Sequence, residues 1–183
     1  MDQANGFRTL TATLLLSIAL TVQVEAQQEY GHTEFAASGS SEAHKVFLTG
    51  LLQLHNFEYG DARASFQEAQ LIDPDFTMAY WGEALSHEHG LWGGFNTEAS
   101  KAVLARLGVT PEERAGRAKT ERERGYLHTI EILFGDGAQE ERELRYSEAL
   151  RQLHERYPED LDAAAFYALS ILSATVGGRD FTR

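Results

Sequence analysis

Residues 43–76 form one 34-residue unit that reads as two helices folded back on each other and closed by Asp73-Pro74. In its first half, His44 to His55, the residues Phe47, Leu48, Leu51, Leu52 and Leu54 recur at helical spacing around Gly50. Glycine inside a helix costs about 1 kcal/mol against alanine, so Gly50 marks a place where another helix must come close. Asn56-Phe57-Glu58-Tyr59-Gly60-Asp61 carries turn chemistry. The second half, Asp61 to Ile72, sets Ala62, Phe66 and Ala69 on one face, with Leu71 beside them in sequence. Pro74 removes a donor and disfavours helical dihedrals at Asp73, which stops the helix. A fixed-period hairpin of this kind points to a repeat architecture, in which each unit buries its apolar face against the next.

The pattern resembles the tetratricopeptide repeat, whose period is about 34 residues. The matching residues are Gly50, Tyr59, Ala62, Phe66, Ala69 and Pro74. The departures are Thr49, where the family favours a large aliphatic residue, and Gln53, where it favours an aromatic. The run Asp73-Pro74-Asp75-Phe76-Thr77-Met78-Ala79-Tyr80-Trp81-Gly82-Glu83-Ala84, with Leu91-Trp92-Gly93 beyond it, is similar to large exported bacterial proteins of that family with unsettled roles. The resemblance implies an all-α, right-handed α-solenoid of antiparallel hairpins, and no activity.

Later segments extend the array. Thr77 to Gly90 is expected as a first helix with Ala79, Tyr80, Trp81, Ala84 and Leu85 on its apolar side. Ala84 stands 34 residues after Gly50. Thr97 to Leu107 is its partner, closed by Gly108, so the second unit covers 77–108. Thr110-Pro111-Glu112-Glu113 starts an inserted helix over 110–119. A third hairpin spans 121–158. It opens at the capping box Thr120-Glu121-Arg122-Glu123, breaks at Gly135-Asp136-Gly137 and ends at Pro158, with Leu144, Ala149, Leu150 and Leu153 as the apolar set of its second helix. Tyr146 stands where the family prefers a small residue. Residues 161–176 supply one more first helix, with Ala168 in the small-residue place and no second helix. Residues 177–183 are expected as a truncated or disordered tail. A half-hairpin is a poor terminus for a repeat array, which needs a polar cap. The expectation is therefore either a longer array or docking of that helix on another chain.

Leu10 to Val22 is an apolar run preceded by Arg8 and followed by Val24-Glu25-Ala26. Thirteen residues fall short of the about 20 needed to span a bilayer, and the flanks fit a signal peptide over 1–26. Residues 27–42, with Gly31, Gly39 and a Ser-rich tail, read as a linker. The expected location is periplasmic or secreted, with no membrane association beyond signal-directed export. The net charge of −12 and the absence of basic runs exclude a nucleic-acid partner, which demands a face that neutralises phosphate. No cysteine is present, which removes disulfides and thiolate metal sites. No Gly-rich phosphate loop, Gly-x-Ser-x-Gly elbow or thiol nucleophile occurs, so an enzyme and a cofactor are not expected.

The resemblance places groove-facing positions at fixed offsets on the first helices. Those on which partner binding is expected are Phe47, Leu51 and His55, in register with Trp81, Leu85 and His89. The expected function is a protein- or peptide-binding scaffold that uses a concave groove. Packing of the same aromatics between repeats is the competing reading. The family's basic clamp for C-terminal carboxylates is not expected, because its places hold Phe47, Leu51, Trp81 and Leu85. Two alternatives remain open. One is a metal or cofactor site on His55, His87 and His89, which requires the helix to have ended by Ser86 so that His87 and His89 can converge. The other is self-assembly through the unpaired last helix.

Overall fold

The computed structural model describes residues 31–89 and 94–176, the side chains of the last three excepted. The expected signal segment, the Leu91-Trp92-Gly93 stretch and the expected tail lie outside the described residues. The chain is all-α, with eight helices among the described residues. They are α1 (Ser41–His55), α2 (Tyr59–Ile72), α3 (Thr77–Leu85), α4 (Thr97–Leu107), α5 (Pro111–Arg117), α6 (Glu121–Leu133), α7 (Gln139–Arg156) and α8 (Leu161–Val176). Two two-residue strands, β1 (Glu88–His89) and β2 (Gly94–Phe95), pair antiparallel between α3 and α4. Successive helices pack as hairpins α1–α2, α3–α4 and α6–α7, with α2 on α3, α6 on α3, and α8 on α7. None of these helices is long and apolar enough to cross a membrane.

Local chemistry explains the boundaries. Ser40 caps α1 by accepting from the Ala43 backbone N–H. Thr110 with Glu113, and Thr120 with Glu123, both close full capping boxes. The first hairpin packs as its sequence demands. Ala62, Phe66 and Ala69 are fully buried, and the Phe66 ring is wedged between α1 and α3. A Cβ on Gly50 would lie 2.9 Å from that ring, and one on Gly82 only 2.5 Å from it. On α3 it is thus Gly82 that leaves room for the ring. Ala84, two residues on, is buried opposite α4, where Ser100 donates to its carbonyl at 3.0 Å. A buried carboxylate, Glu83, accepts from Gln67 at 2.8 Å and Gln70 at 2.7 Å and pairs with Arg106, joining α2, α3 and α4.

Three expectations are corrected. The helix expected over 77–90 ends at Leu85. Arg63 of α2 donates to the Ser86 carbonyl at 3.1 Å, and Asn96 N–H donates to the His87 carbonyl. Groups released at the helix end thus find partners outside it, and the chain turns into β1. Leu144, counted in the apolar set of α7, is 58% exposed, because α7 turns Tyr146, Leu150 and Leu153 inward instead.

The third correction concerns the expected linker. Residues 31–40 have no regular secondary structure, yet from Phe35 to Ser40 they form a strap held to the helices. Phe35 is 1% exposed and belongs to the central core. Its ring lies 5.3 Å from Phe47, 6.2 Å from Trp81 and 5.0 Å from Tyr126, under the Arg122 guanidinium at 4.0 Å. His44 Nε2 donates to the Phe35 carbonyl at 2.6 Å, and Arg122 donates to the Ala36 carbonyl at 2.7 Å. Ser38 donates from both its N–H and its hydroxyl to Glu123, the capping-box acid of α6. Ser40 N–H donates to Asp73 at 2.8 Å. The strap is thus tied to α1, to the end of α2 and to α6 while delivering one aromatic ring to the centre.

Candidate functional site

The six expected groove residues divide into two groups. Phe47, Leu51, Trp81 and Leu85 are all buried, at 0–4% exposure. Phe47 and Trp81 both pack against the ring of Phe35, which the same chain places between them. These residues present no open aromatic surface, which corrects the expected groove. The physical reason is that α6 packs on α3 while the strap closes the remaining gap.

His55 and His89 take separate partners. His55, at the end of α1, stacks on Phe166 of α8 at 4.8 Å and lies 2.7 Å from Asp162. The carboxylate can only accept, so His55 Nε2 donates. Asp162 is nearly buried, and this pair ties α1 to α8 across the fold. His89, on β1, stacks against Tyr59 at 4.0 Å. His87 lies beyond the end of α3, as a shared metal would require. Burial, and then the neighbouring Arg63, push its imidazole below the ordinary value, which favours the neutral form. Among the described residues, however, no three His, Asp or Glu side chains converge as metal ligands.

Beside His55 the helices leave an apolar cavity of about 280 Å³, walled by the ends of α1 and α3 and the start of α2 together with α6, α7 and α8. Leu54, Leu85, Leu133, Phe166 and Leu169 supply its apolar surface. Phe57, Tyr59, Phe95 and Tyr146 add aromatic faces, and Glu88 and Glu143 contribute carboxylates. Two of the six expected residues, His55 and Leu85, thus line a cavity, though a different one from the expected groove.

Local structure explains how these side chains arrive. Phe57 adopts φ 62° in the α1–α2 turn, a left-handed conformation that a bulky residue rarely takes, and its ring is 40% exposed beside Tyr59. The β1–β2 pair carries Glu88 opposite Phe95. Tyr146, unexpected at a small-residue place, closes the floor from α7. Ala168, the small residue of α8, lines the cavity and is exposed. Burial, and secondarily the Glu88 charge, push the Tyr59 phenol up to about 12 and raise that of Tyr146 further, so both rings stay neutral near neutral pH. Sequence reasoning did not find this cavity. The one signal pointing to it was Ala168 standing in the small-residue place of its helix. Compared with protein-family models, with curated proteins and with solved structures, the chain has no match.

Proposed function

We propose that this chain is a non-catalytic binding module, a tetratricopeptide-like solenoid of helical hairpins in an exported compartment, which holds a peptide segment of a protein partner. The observation that carries the reading is the open apolar cavity at which α8 presents Ala168. In the first hairpin the small residue, Gly50, is packed by the chain's own Phe66. In α8 the equivalent position faces the cavity. Aromatic and aliphatic walls with a few polar groups at one side are the common make-up of ligand sites. Phe57, held exposed on a costly backbone conformation, adds support, since such strain gathers at binding surfaces.

The test is selection of displayed peptides against the full chain, repeated with Ala168→Trp. Ala168 is exposed, so the indole fills the cavity without disturbing the core. Peptides that bind the parent chain and lose binding to the variant, at unchanged helicity, support the reading. Peptides that bind both equally place recognition elsewhere. A second reading is self-association through α8, favoured by Leu161, Ile171 and Leu172, which are exposed to 80%, 44% and 44%. Sedimentation that is independent of concentration excludes it.

A further inference from the structure

Two polar side chains line the cavity without committing all their hydrogen-bonding capacity to the fold. His55 donates its Nε2–H to the nearly buried Asp162. A neutral imidazole then keeps an acceptor at Nδ1, and that atom has no partner among the described residues. Tyr146 of α7 is 7% exposed, and its hydroxyl makes no hydrogen bond among the described residues. Burial raises its phenol, so the hydroxyl keeps its proton and stays a donor. A hydroxyl enclosed without a partner costs stability that phenylalanine at the same place would retain. The two groups stand by consecutive turns of α8. His55 stacks on Phe166, and the Ser170 hydroxyl donates at 3.0 Å to Ser147, the chain neighbour of Tyr146. Leu54, Leu133, Phe166 and Leu169 make the wall around them apolar. At about 280 Å³ the space is at the lower end for ligand sites, which run about 300–1,000 Å³, so it suits one large side chain better than a whole helix.

An occupant that leaves neither group unpaired must donate to a ring nitrogen, accept from a hydroxyl and be apolar elsewhere. Phenylalanine and leucine do neither of the first two. Tryptophan and lysine only donate, and ionised aspartate and glutamate only accept. Serine and threonine fill too little of the space, and asparagine, glutamine and histidine are polar over most of their length. Tyrosine meets all three demands, with a large apolar ring that ends in one group able to donate and accept.

We propose that the cavity recognises a tyrosine side chain of the bound peptide, whose phenol donates to His55 Nδ1 and accepts from the Tyr146 hydroxyl. The proposal rests on the peptide-binding reading above and names the residue that the peptide inserts. The probes are two peptides of one Leu- and Ser-containing sequence, capped at both ends, that differ only in a central tyrosine or phenylalanine. Calorimetric titration measures each against the full chain, against Tyr146→Phe and against Ala168→Trp, with helicity and melting followed for both variants.

A site built to hydrogen-bond a hydroxyl rejects the analogue that lacks it. The tyrosine peptide is expected to bind the parent chain at least about tenfold more tightly than the phenylalanine peptide. Tyr146→Phe should cut that preference to about threefold or less, by loss of one of the two bonds. It should also hold the phenylalanine peptide no more weakly and melt no lower than the parent, since the hydroxyl it removes has no partner in the fold. Tyrosine binding no tighter than phenylalanine, with both abolished by Ala168→Trp, overturns the tyrosine inference and leaves the peptide site standing. A tyrosine preference that Tyr146→Phe leaves unchanged also overturns it. So does a Tyr146→Phe chain that melts lower than the parent, because the hydroxyl would then serve the fold. Binding that Ala168→Trp does not change, or no binding of either peptide, overturns both readings.

Discussion

Phe35→Ala separates a strap from a linker. In a solvated linker, truncating one aromatic changes stability by no more than about 0.5 kcal/mol. Here the ring is 1% exposed and touches Phe47, Trp81 and Tyr126, with the Arg122 guanidinium above it. Burying a phenylalanine contributes about 1.5–3 kcal/mol by transfer, and truncation to alanine in a core costs about 3–5 kcal/mol once the void is included. The lower end is the better guide, because a strap at the chain's edge can shift to fill part of the void. A loss of about 3 kcal/mol is a large share of a domain's usual 5–15 kcal/mol. At about 2–4 °C per kcal/mol for a chain of this size, the midpoint of thermal unfolding should fall by roughly 6–12 °C. The assay is circular dichroism melting, with Phe35→Leu as the volume-retaining control and Glu34→Ala as the exposed neighbour. A Phe35→Ala midpoint within about 2 °C of the parent refutes the strap, since the ring would then contribute no more than a surface residue.

Other substitutions and conditions test the packing elsewhere. Gly82→Ala gains up to about 1 kcal/mol of helix propensity but drives a Cβ to 2.5 Å from the buried Phe66 ring, an overpacking that costs about 1–3 kcal/mol. Net destabilisation is expected in denaturant titration, and a more stable variant would show that Phe66 yields freely. His55→Ala with Asp162→Ala in a double-mutant cycle should give a coupling of about 1 kcal/mol or more, because Asp162 is nearly buried and accepts a charge-assisted bond; additive effects would sever α1 from α8. Tyr59 has its phenol raised from 10.0 to about 12, and Tyr126 and Tyr146 are raised by burial as well. The protonated form is favoured in the fold, so its contribution is complete below pH 10 and is lost as pH rises from 10 through 12. Phenolate absorbance should then appear together with unfolding. Ionisation of all seven tyrosines near pH 10 in a still-folded chain would contradict this.

The local hairpins were legible in the sequence because their information is local. The spacing of Ala62, Phe66 and Ala69, the glycine at position 50 and the capping boxes at Thr110 and Thr120 specify contacts within or between adjacent helices. Phe47 and Trp81 both reach one ring, that of Phe35, whereas His55 and His89, expected in the same register, take separate partners. What fills the space between Phe47 and Trp81 was not legible. Phe35 lies in a stretch without periodicity, and its ring partners are distributed along the chain as far as Tyr126. The early end of α3 depends on Arg63, a residue of another helix. The cavity takes its walls from six helices and the β1–β2 pair, so no window of sequence contains it.

The central claim is that the aromatic face of the first two hairpins is closed from within by Phe35, while the receptive surface is the cavity beside α8. Methyl and aromatic NMR of the full chain, titrated with the tyrosine-bearing peptide, tests both halves at once. The expected result is perturbation of Leu54, Leu133 and Leu169, which line the cavity, while Leu51 and Met78 stay unmoved and Phe35 keeps its contacts to Trp81 and Tyr126. Perturbation of Leu51 and Met78 with loss of the Phe35 contacts would contradict the claim and show that the peptide enters the space the strap now fills.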